Sequence, residues 1–324
     1  MKKALAFVWC TSLVAGDITQ LQRFADNNRF FELQRDLQQP GWTAAEILFY
    51  RAITASRFGH ETEGIELLQK VLGTNPNPAV ARKSHEEMAM AYARLGRHKD
   101  AAAAWGKALL LTPGNDPERE EHENSRVLMA ALSDVAPETA ELGADIAVQA
   151  TRNRLGSWDV PVQVNDVNGR WIFDTGASLS TLTATEAKRM GLSIRETMAY
   201  VSGSTGKRNT LQLAVAGDLR FGAAHVHNVV FLVLSDNALN IGPLHYQITR
   251  MLGIPVLRAL GRLAISKTGL IRGQPHESLP QGAPTCSSTR NRLSWRSITT
   301  NITCRCFWIR ERTPPFFTRL SARL

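Results

Sequence analysis

Hydrophobic and polar positions along the chain follow two different periods, and the change falls near Ala136. Residues 18–135 have the spacing of one helix after another. In "HEEMAMAYARLGRHKDAAAAWGKALLLTPGN", Tyr92, Trp105 and Ala108 belong to two helices joined at Gly96, which permits a tight turn. Ala101 lets those helices approach closely, and Pro113 stops the second. An earlier stretch, "FYRAITASRFGHETEGIELLQKVLGTNP", puts Gly59, Gly64, Leu68, Val71 and Pro76 in the same roles. Gly59 to Gly96 and Pro76 to Pro113 are both 37 residues apart, one helix-turn-helix repeat of about 34 residues plus a short insertion. Two copies at one offset predict a stacked helical array over residues 17–135. Residues 18–42 supply a further helical pair or half-repeat, and residues 116–137 a polar-faced helix that caps the stack.

Beyond Ala136 the period becomes two. Val160, Val162 and Val164 alternate with polar residues, an Asn/Asp/Gly turn follows, and Trp171-Ile172-Phe173 forms a second apolar strand. Further strands are predicted in "TMAYVSG", "TLQLAVAGDLRFG", "HNVVFLVLS" and "LGRLAIS". Between them Thr183 and Glu186 have the spacing of a capping box that opens a short helix ending at Gly191. The fold class expected is multidomain: an all-α helical-repeat domain followed by a mostly-β domain over residues 146–272.

Composition alters this picture only at the two ends. The chain has 324 residues and a net charge of +9, of which residues 281–324 carry +7, with eight arginines and one acid. The basic balance therefore does not describe the partners of the folded part, and no nucleic acid is expected. Residues 273–324 lack periodicity and caps and read as an irregular basic tail, frameshifted or disordered. Cys286, Cys304 and Cys306 lie in that tail and Cys10 near the start, so neither a disulfide framework nor zinc spacing is present. Residues 1–16 have the order of a secretory signal: Lys2 and Lys3, an apolar run from Ala4 to Ala15, then small residues. Export to the periplasm or the exterior is expected.

Chemistry concentrates at Asp174-Thr175-Gly176-Ala177, directly after the strand Trp171–Phe173. An aspartic protease requires two rigidly held carboxylates that share one proton, one activating water and one donating a hydrogen bond to the scissile carbonyl. The strand delivers Asp174, Thr175 can hydrogen-bond across to a partner loop, and Gly176 permits close backbone approach. His225 and His227 alternate on a strand without a third ligand cluster, so they read as solvent-facing and no metal is expected. Asp159, Asp166, Asp218 and Asp236 read as turn acids. The chain has no serine nucleophile elbow, phosphate loop or dinucleotide fingerprint, and no cofactor is expected.

On these residues, positions 158–271 resemble the retropepsin family, including its bacterial members. Ile172-Phe173-Asp174-Thr175-Gly176-Ala177 matches its apolar-apolar-Asp-Thr-Gly-Ala motif, and Met251-Leu252-Gly253 matches its apolar-apolar-Gly segment before a C-terminal helix. Residues 17–135 are similar to tetratricopeptide repeats, and the order of signal, repeats and protease domain is similar to a set of bacterial secreted proteins. The resemblance implies an aspartic endopeptidase with catalytic Asp174, Thr175 and Gly176. It also implies a substrate-binding Ala177 and a flap in "AYVSGSTGKRNTLQ" whose tip is Gly203, Ser204, Thr205 and Gly206. The partners implied are a protein or peptide substrate, a protein bound by the helical repeats, and a second copy of the chain.

That second copy matters because the chain contains no other Asp-Thr-Gly or Asp-Ser-Gly. A homodimer would bring two Asp174 residues together. The tail offers another origin. Trp308 is encoded TGG and the Ile309 codon begins AT, so the frame two bases along reads GAT, an aspartate. The shifted codons that follow are compatible with Ser or Thr, then Gly, then Ala, so "CFWIRERTPPF" is compatible with a hidden "LLDSGANTTF". The alternative function is a non-catalytic repeat scaffold or binding protein with a degenerate or truncated protease domain.

Overall fold

The computed structural model describes residues 18–202, 208–241, 245–273, 286–289 and 292–295. The signal-like residues 1–16 and the segment around Trp308 lie outside them, as does Gly203 to Gly206.

Helices occupy the first part: α1 (Ile18–Asp26), α2 (Phe30–Asp36), α3 (Ala44–Arg57), α4 (Glu61–Gly73), α5 (Pro78–Arg94), α6 (His98–Leu110) and α7 (Arg119–Ala131). α3 with α4 and α5 with α6 are antiparallel pairs turned at Gly59 and Gly96, whose φ angles of +88° and +68° disfavour any residue with a Cβ. Thr43 caps α3 through a complete capping box with Glu46, and Asn77 caps α5 ahead of Pro78. Between the pairs lies a core of Leu68, Met88, Tyr92, Ala101, Trp105 and Ala108. Gly64 faces α3 so closely that a Cβ there would meet Ser56 Cβ at 2.8 Å. No helix among the described residues is long and apolar enough to cross a membrane.

The strands are β1 (Thr139–Leu142), β2 (Ile146–Gln149), β3 (Thr151–Arg152), β4 (Trp158–Val164), β5 (Val167–Phe173) and β6 (Ser180–Thr183). Helix α8 (Ala184–Arg189) follows, then β7 (Arg195–Ser202), β8 (Arg208–Ala216), β9 (Leu219–Phe221), β10 (Ala224–His227) and β11 (Val229–Leu234). After the short β12 (Asn240–Ile241) and β13 (Tyr246–Gln247) come β14 (Arg250–Leu252), α9 (Ile254–Ala259), β15 (Leu263–Ile265) and β16 (Leu270–Gly273). In the tail, β17 (Cys286–Thr289) and β18 (Arg292–Trp295) pair as an antiparallel hairpin.

One large sheet runs in the order β1-β10-β9-β4-β5-β14-β6-β11-β8-β7, with β3 beside β4, and a second sheet runs β15-β16-β2. The inward faces enclose Val160, Val162, Trp171, Phe173, Phe221 and Phe231. The turn between β4 and β5 is Asn165-Asp166, both at positive φ, as a two-residue hairpin loop requires. One predicted strand is broken and another has a separate strand before it. "TLQLAVAGDLRFG" divides at Gly217 into β8 and β9, whereas "HNVVFLVLS" is β11, preceded across Asn228 (φ +59°) by the separate β10. The sheet also begins earlier than residue 146, because β1 pairs with β10.

Helix α7 packs on α6, with His122 stacked on Trp105 at 4.9 Å, as a cap on the helical array should, but it is more than a polar cap. Its C-terminal half packs Val127, Leu128, Ala131 and the following Leu132 against Leu211 and Leu213 of β8. The polar first turns mask an apolar face that joins the helices to the sheet.

Candidate active site around Asp174

Asp174 follows the last residue of β5, and the loop it opens, residues 174–179, is half-buried. β14 runs parallel to β5, Met251 opposite Ile172 and Leu252 opposite Phe173, and antiparallel to β6, Met251 opposite Thr181. A strand from late in the chain is thereby inserted between the two strands that flank the Asp174 loop. The insertion grips the loop at both ends: Asp174 N donates to Leu252 O at 3.1 Å, and Ile254 N donates to Ala177 O at 2.9 Å.

Two residues make that grip possible. Gly253 packs so tightly that a Cβ there would sit 2.5 Å from the carbonyl carbon of Leu179. Ser180, fully buried, accepts Gly253 N on its Oγ at 3.0 Å. Within the loop, Gly176 N donates to Asp174 Oδ1 at 2.7 Å, and a Cβ on Gly176 would crowd that oxygen at 3.2 Å. A backbone donor on the carboxylate fixes its orientation.

Ala177 borders an apolar patch on the face of the sheet turned away from the main core. Ile172, Ile248 and Met251 are buried in it, with Leu155, Leu239 and Tyr246 partly covered at its edge. Sequence reasoning missed this patch, because its members come from four separated segments and share no period. Ser180 was missed for a similar reason: a serine after "ASL" carries no local sign of the glycine it will bind.

Asp159 departs from the turn-acid reading. It lies within β4 opposite Ile172, its Oδ1 accepts from Asn153 Nδ2 at 2.8 Å, and burial pushes its carboxyl above the usual range against the opposing pull of Asn153, Arg170 and Arg250. Tyr246 is raised as well, by burial first and by the Asp159 charge second. Asp166 lies in the β4–β5 turn, and Asp218 in the short connection between β8 and β9. Asp236 accepts both Thr185 N and Thr185 Oγ1 at the start of α8. Thr183 caps α8 as expected, but Glu186 pairs with Arg189 at 2.8 Å and Arg250 at 3.7 Å, so the return half of the capping box is replaced by ion pairs. His225 lies against Asp218 and His227 against Gly217 O and Glu141, and among the described residues no group of three or more His, Cys, Asp or Glu is placed to hold a metal.

Asp174, Thr175, Gly176 and Ala177 are thus brought into one loop held from both sides. Residues 160–256, which contain that loop and its β14 clamp, match the family model described as Aspartyl protease. The second domain is aspartic-protease-like. Among solved structures, the chain is similar to a retropepsin-like aspartic protease from Rickettsia conorii, with 23% identity over 42% of this chain and 94% of that one, TM-score 0.29. It is also similar to the retroviral protease-like domain of Ddi1 from Leishmania major, with 15% identity over 38% and 98% of the respective chains, TM-score 0.22. No curated protein sequence matches the chain.

Proposed function

We propose that the chain is a retropepsin-like aspartic endopeptidase in which Asp174 supplies one of two carboxylates that activate water. The observation that carries this reading is the grip on the Asp174 loop by Leu252, Gly253 and Ile254 inside the segment that matches aspartyl proteases. Such a loop holds a carboxylate rigidly at a strand end, where one member of the pair takes a proton from water while the other donates to the scissile carbonyl. The apolar patch beside Ala177 suits a hydrophobic substrate side chain. Thr175 and Gly176 orient the carboxylate, and Gly203 to Gly206 contribute to peptide binding.

The second carboxylate comes from a second copy of the chain, or from a motif that a frameshift has hidden near Trp308. The paired helices are tetratricopeptide-type repeats that hold a protein partner or substrate, and residues 1–16 direct export to the periplasm or the exterior. The single Asp-Thr-Gly in the sequence favours one rival reading, a non-catalytic repeat scaffold whose protease domain is incomplete.

Replacing Asp174 with Asn tests the assignment. Peptide cleavage is expected to vanish while circular dichroism and melting stay close to the parent's, and pepstatin-sensitive cleavage persisting in D174N would refute it. Sedimentation separates the rival: a monomer whose coding DNA holds no shifted Asp-Ser/Thr-Gly downstream of Gly273 cannot build the pair.

A further inference from the structure

Strand β14 is three residues long, and its first residue, Arg250, reaches well beyond it. A Cβ added to Gly169 of β5 would lie 2.1 Å from Arg250 Nη1 and 3.1 Å from Arg250 Cζ, so the guanidinium passes directly over Gly169. The same nitrogen faces Glu186 Oε2 of α8 at 3.7 Å. One side chain of β14 therefore engages both of its neighbours: β5 on one side and, on the other, the helix that follows β6 directly.

Both ends of this bridge are fixed. Thr183 caps α8, and Asp236 accepts Thr185 N at 3.0 Å and Thr185 Oγ1 at 2.7 Å, so Glu186 stands on an anchored first turn. At the other end Arg250 pairs opposite Leu182, and Thr183 N donates to Thr249 O at 3.0 Å.

An arginine is a costly way to fill this space. Its side chain is only 20% exposed, its Nε is buried without a hydrogen-bond partner among the described residues, and its pair with Glu186 is long. A half-satisfied buried cation stabilises less than a well-packed apolar side chain of similar volume. Packing alone therefore does not account for Arg250, but its place beside the clamp does. Two residues on, Leu252 O holds Asp174 N; Gly253 N is bonded to Ser180 Oγ and Ile254 N to Ala177 O. A strand of three residues has few ladder bonds to fix it lengthwise. Gly253 against Ser180 secures one end of it, and Arg250 against Gly169 and Glu186 secures the other.

We propose that Arg250 is a positioning residue for the peptidase site: by spanning Gly169 and Glu186 it fixes where β14 lies between β5 and β6, and hence how Leu252 and Ile254 hold the Asp174 loop. Gly169 belongs to the same device, because a side chain there would occupy the path of the guanidinium. The proposal rests on the endopeptidase reading given above.

The test uses the full chain with Arg250→Ala, with Gly169→Ala, and with both. Gly169→Ala dislodges the guanidinium without removing its charge, since the atom it meets is the end of a flexible side chain. Pepstatin titration counts the working sites, so that kcat per site and KM on a peptide substrate are separated from any loss of folded protein. Amide hydrogen exchange at Asp174 and Ile254 is followed alongside. Each single substitution is expected to lower kcat per site about fivefold or more with KM within about twofold, because the loop it loosens carries the reacting carboxylate. Exchange at both amides is expected to quicken about tenfold. The double variant is expected to match Arg250→Ala to within about twofold, because once the guanidinium is gone the second substitution has nothing to displace. If Arg250→Ala does not fold, as judged by circular dichroism, Arg250→Lys replaces it. That variant keeps a charge facing Glu186 on a narrower stem, and adding Gly169→Ala to it is expected to lower kcat by less than about twofold. In a parent that binds pepstatin, unchanged kcat per site, unchanged exchange, or losses that multiply in the double variant would each overturn the proposal and leave the endopeptidase reading standing. A parent that neither binds pepstatin nor cleaves any peptide overturns both.

Discussion

Glu61 at the start of α4 and Arg258 of α9 meet across the boundary between the helical array and the sheet domain, Oε1 to Nη2 at 2.8 Å. The same carboxylate oxygen takes Arg94 Nε at 3.2 Å, and the Glu61 side chain is only 2% exposed. Arg94 is itself pulled down to about 10, by burial first and then by the Arg57 charge, so Glu61 is the anion that makes two neighbouring guanidiniums tolerable. α9 starts at the residue after Gly253, so this ion pair ties the helical array to the element that clamps the Asp174 loop.

The two partners should respond unequally. Arg258→Met leaves Glu61 paired with Arg94 and should cost about 1 kcal/mol, since Arg258 is partly exposed. Glu61→Gln leaves two guanidiniums without their shared anion and should cost roughly 3–5 kcal/mol. Urea titrations of the two variants decide it, and equal losses would contradict the hub role of Glu61.

Gly253→Ala should be among the most damaging of small substitutions. The added carbon would lie 2.5 Å from Leu179 C and 2.6 Å from Leu179 O, and neither is a side-chain end that can swing away. Separating β14 from the Asp174 loop to relieve the clash should cost roughly 3 kcal/mol or more and loosen both Asp174 N and Ile254 N from their acceptors. Denaturant unfolding gives the first number and hydrogen exchange at those two amides the second.

Gly106→Ala should act in the opposite direction. Gly106 lies inside α6 and its added Cβ would meet only Arg126 Cδ, at 3.9 Å, an ordinary contact. Relief of the helical glycine penalty should raise stability by about 0.5–1 kcal/mol, read as a higher urea midpoint with an unchanged slope. A lower midpoint would show that the α6–α7 contact is tighter than this geometry.

These contrasts mark what the amino-acid order discloses. The helical pairs were legible because each needs a turn residue at positive φ, and Gly59 and Gly96 advertise that need at a constant offset. The β4–β5 hairpin was legible because one face is buried and Val160, Val162 and Val164 keep the beat of that face. Strand β14 was not legible as a strand between β5 and β6: three residues carry no period, and their partners lie far away in sequence. Only the likeness of Met251-Leu252-Gly253 to a known motif pointed there. Asn124 of α7, whose side-chain amide bonds both Tyr200 N and Tyr200 O on the outermost strand β7, was invisible for a deeper reason, because an asparagine inside a polar helix turn looks solvated until the edge strand it satisfies is in place.

Glu138 makes the boundary between the two parts sensitive to pH. It lies just after Pro137, which rests against Gly96, and its Oε1 accepts Val230 N at 3.0 Å, on β11 just before the residue that Ser180 begins to cover. Among the described residues the other oxygen is buried without a partner, and burial raises the carboxyl to about 8 from an ordinary 4.5 despite the opposing bond from Val230. Between those two values the folded chain holds a proton that the unfolded chain has lost, so this group's contribution to stability falls as pH rises from about 5 to 8, by up to about 1.4 kcal/mol per pH unit. His85 and His98, both held below their ordinary value by burial, act with the opposite sign and add stability as pH rises toward 6.5. A raw stability curve would mix the two effects, and the difference between parent and Glu138→Gln isolates the carboxyl. Gln cannot ionise and retains an acceptor for Val230 N, so the variant should match the parent near pH 5 and exceed it increasingly toward pH 8. Urea unfolding at pH 5, 6, 7 and 8 measures this, and a difference that stays flat across the series would mean that Glu138 is ionised in the folded chain.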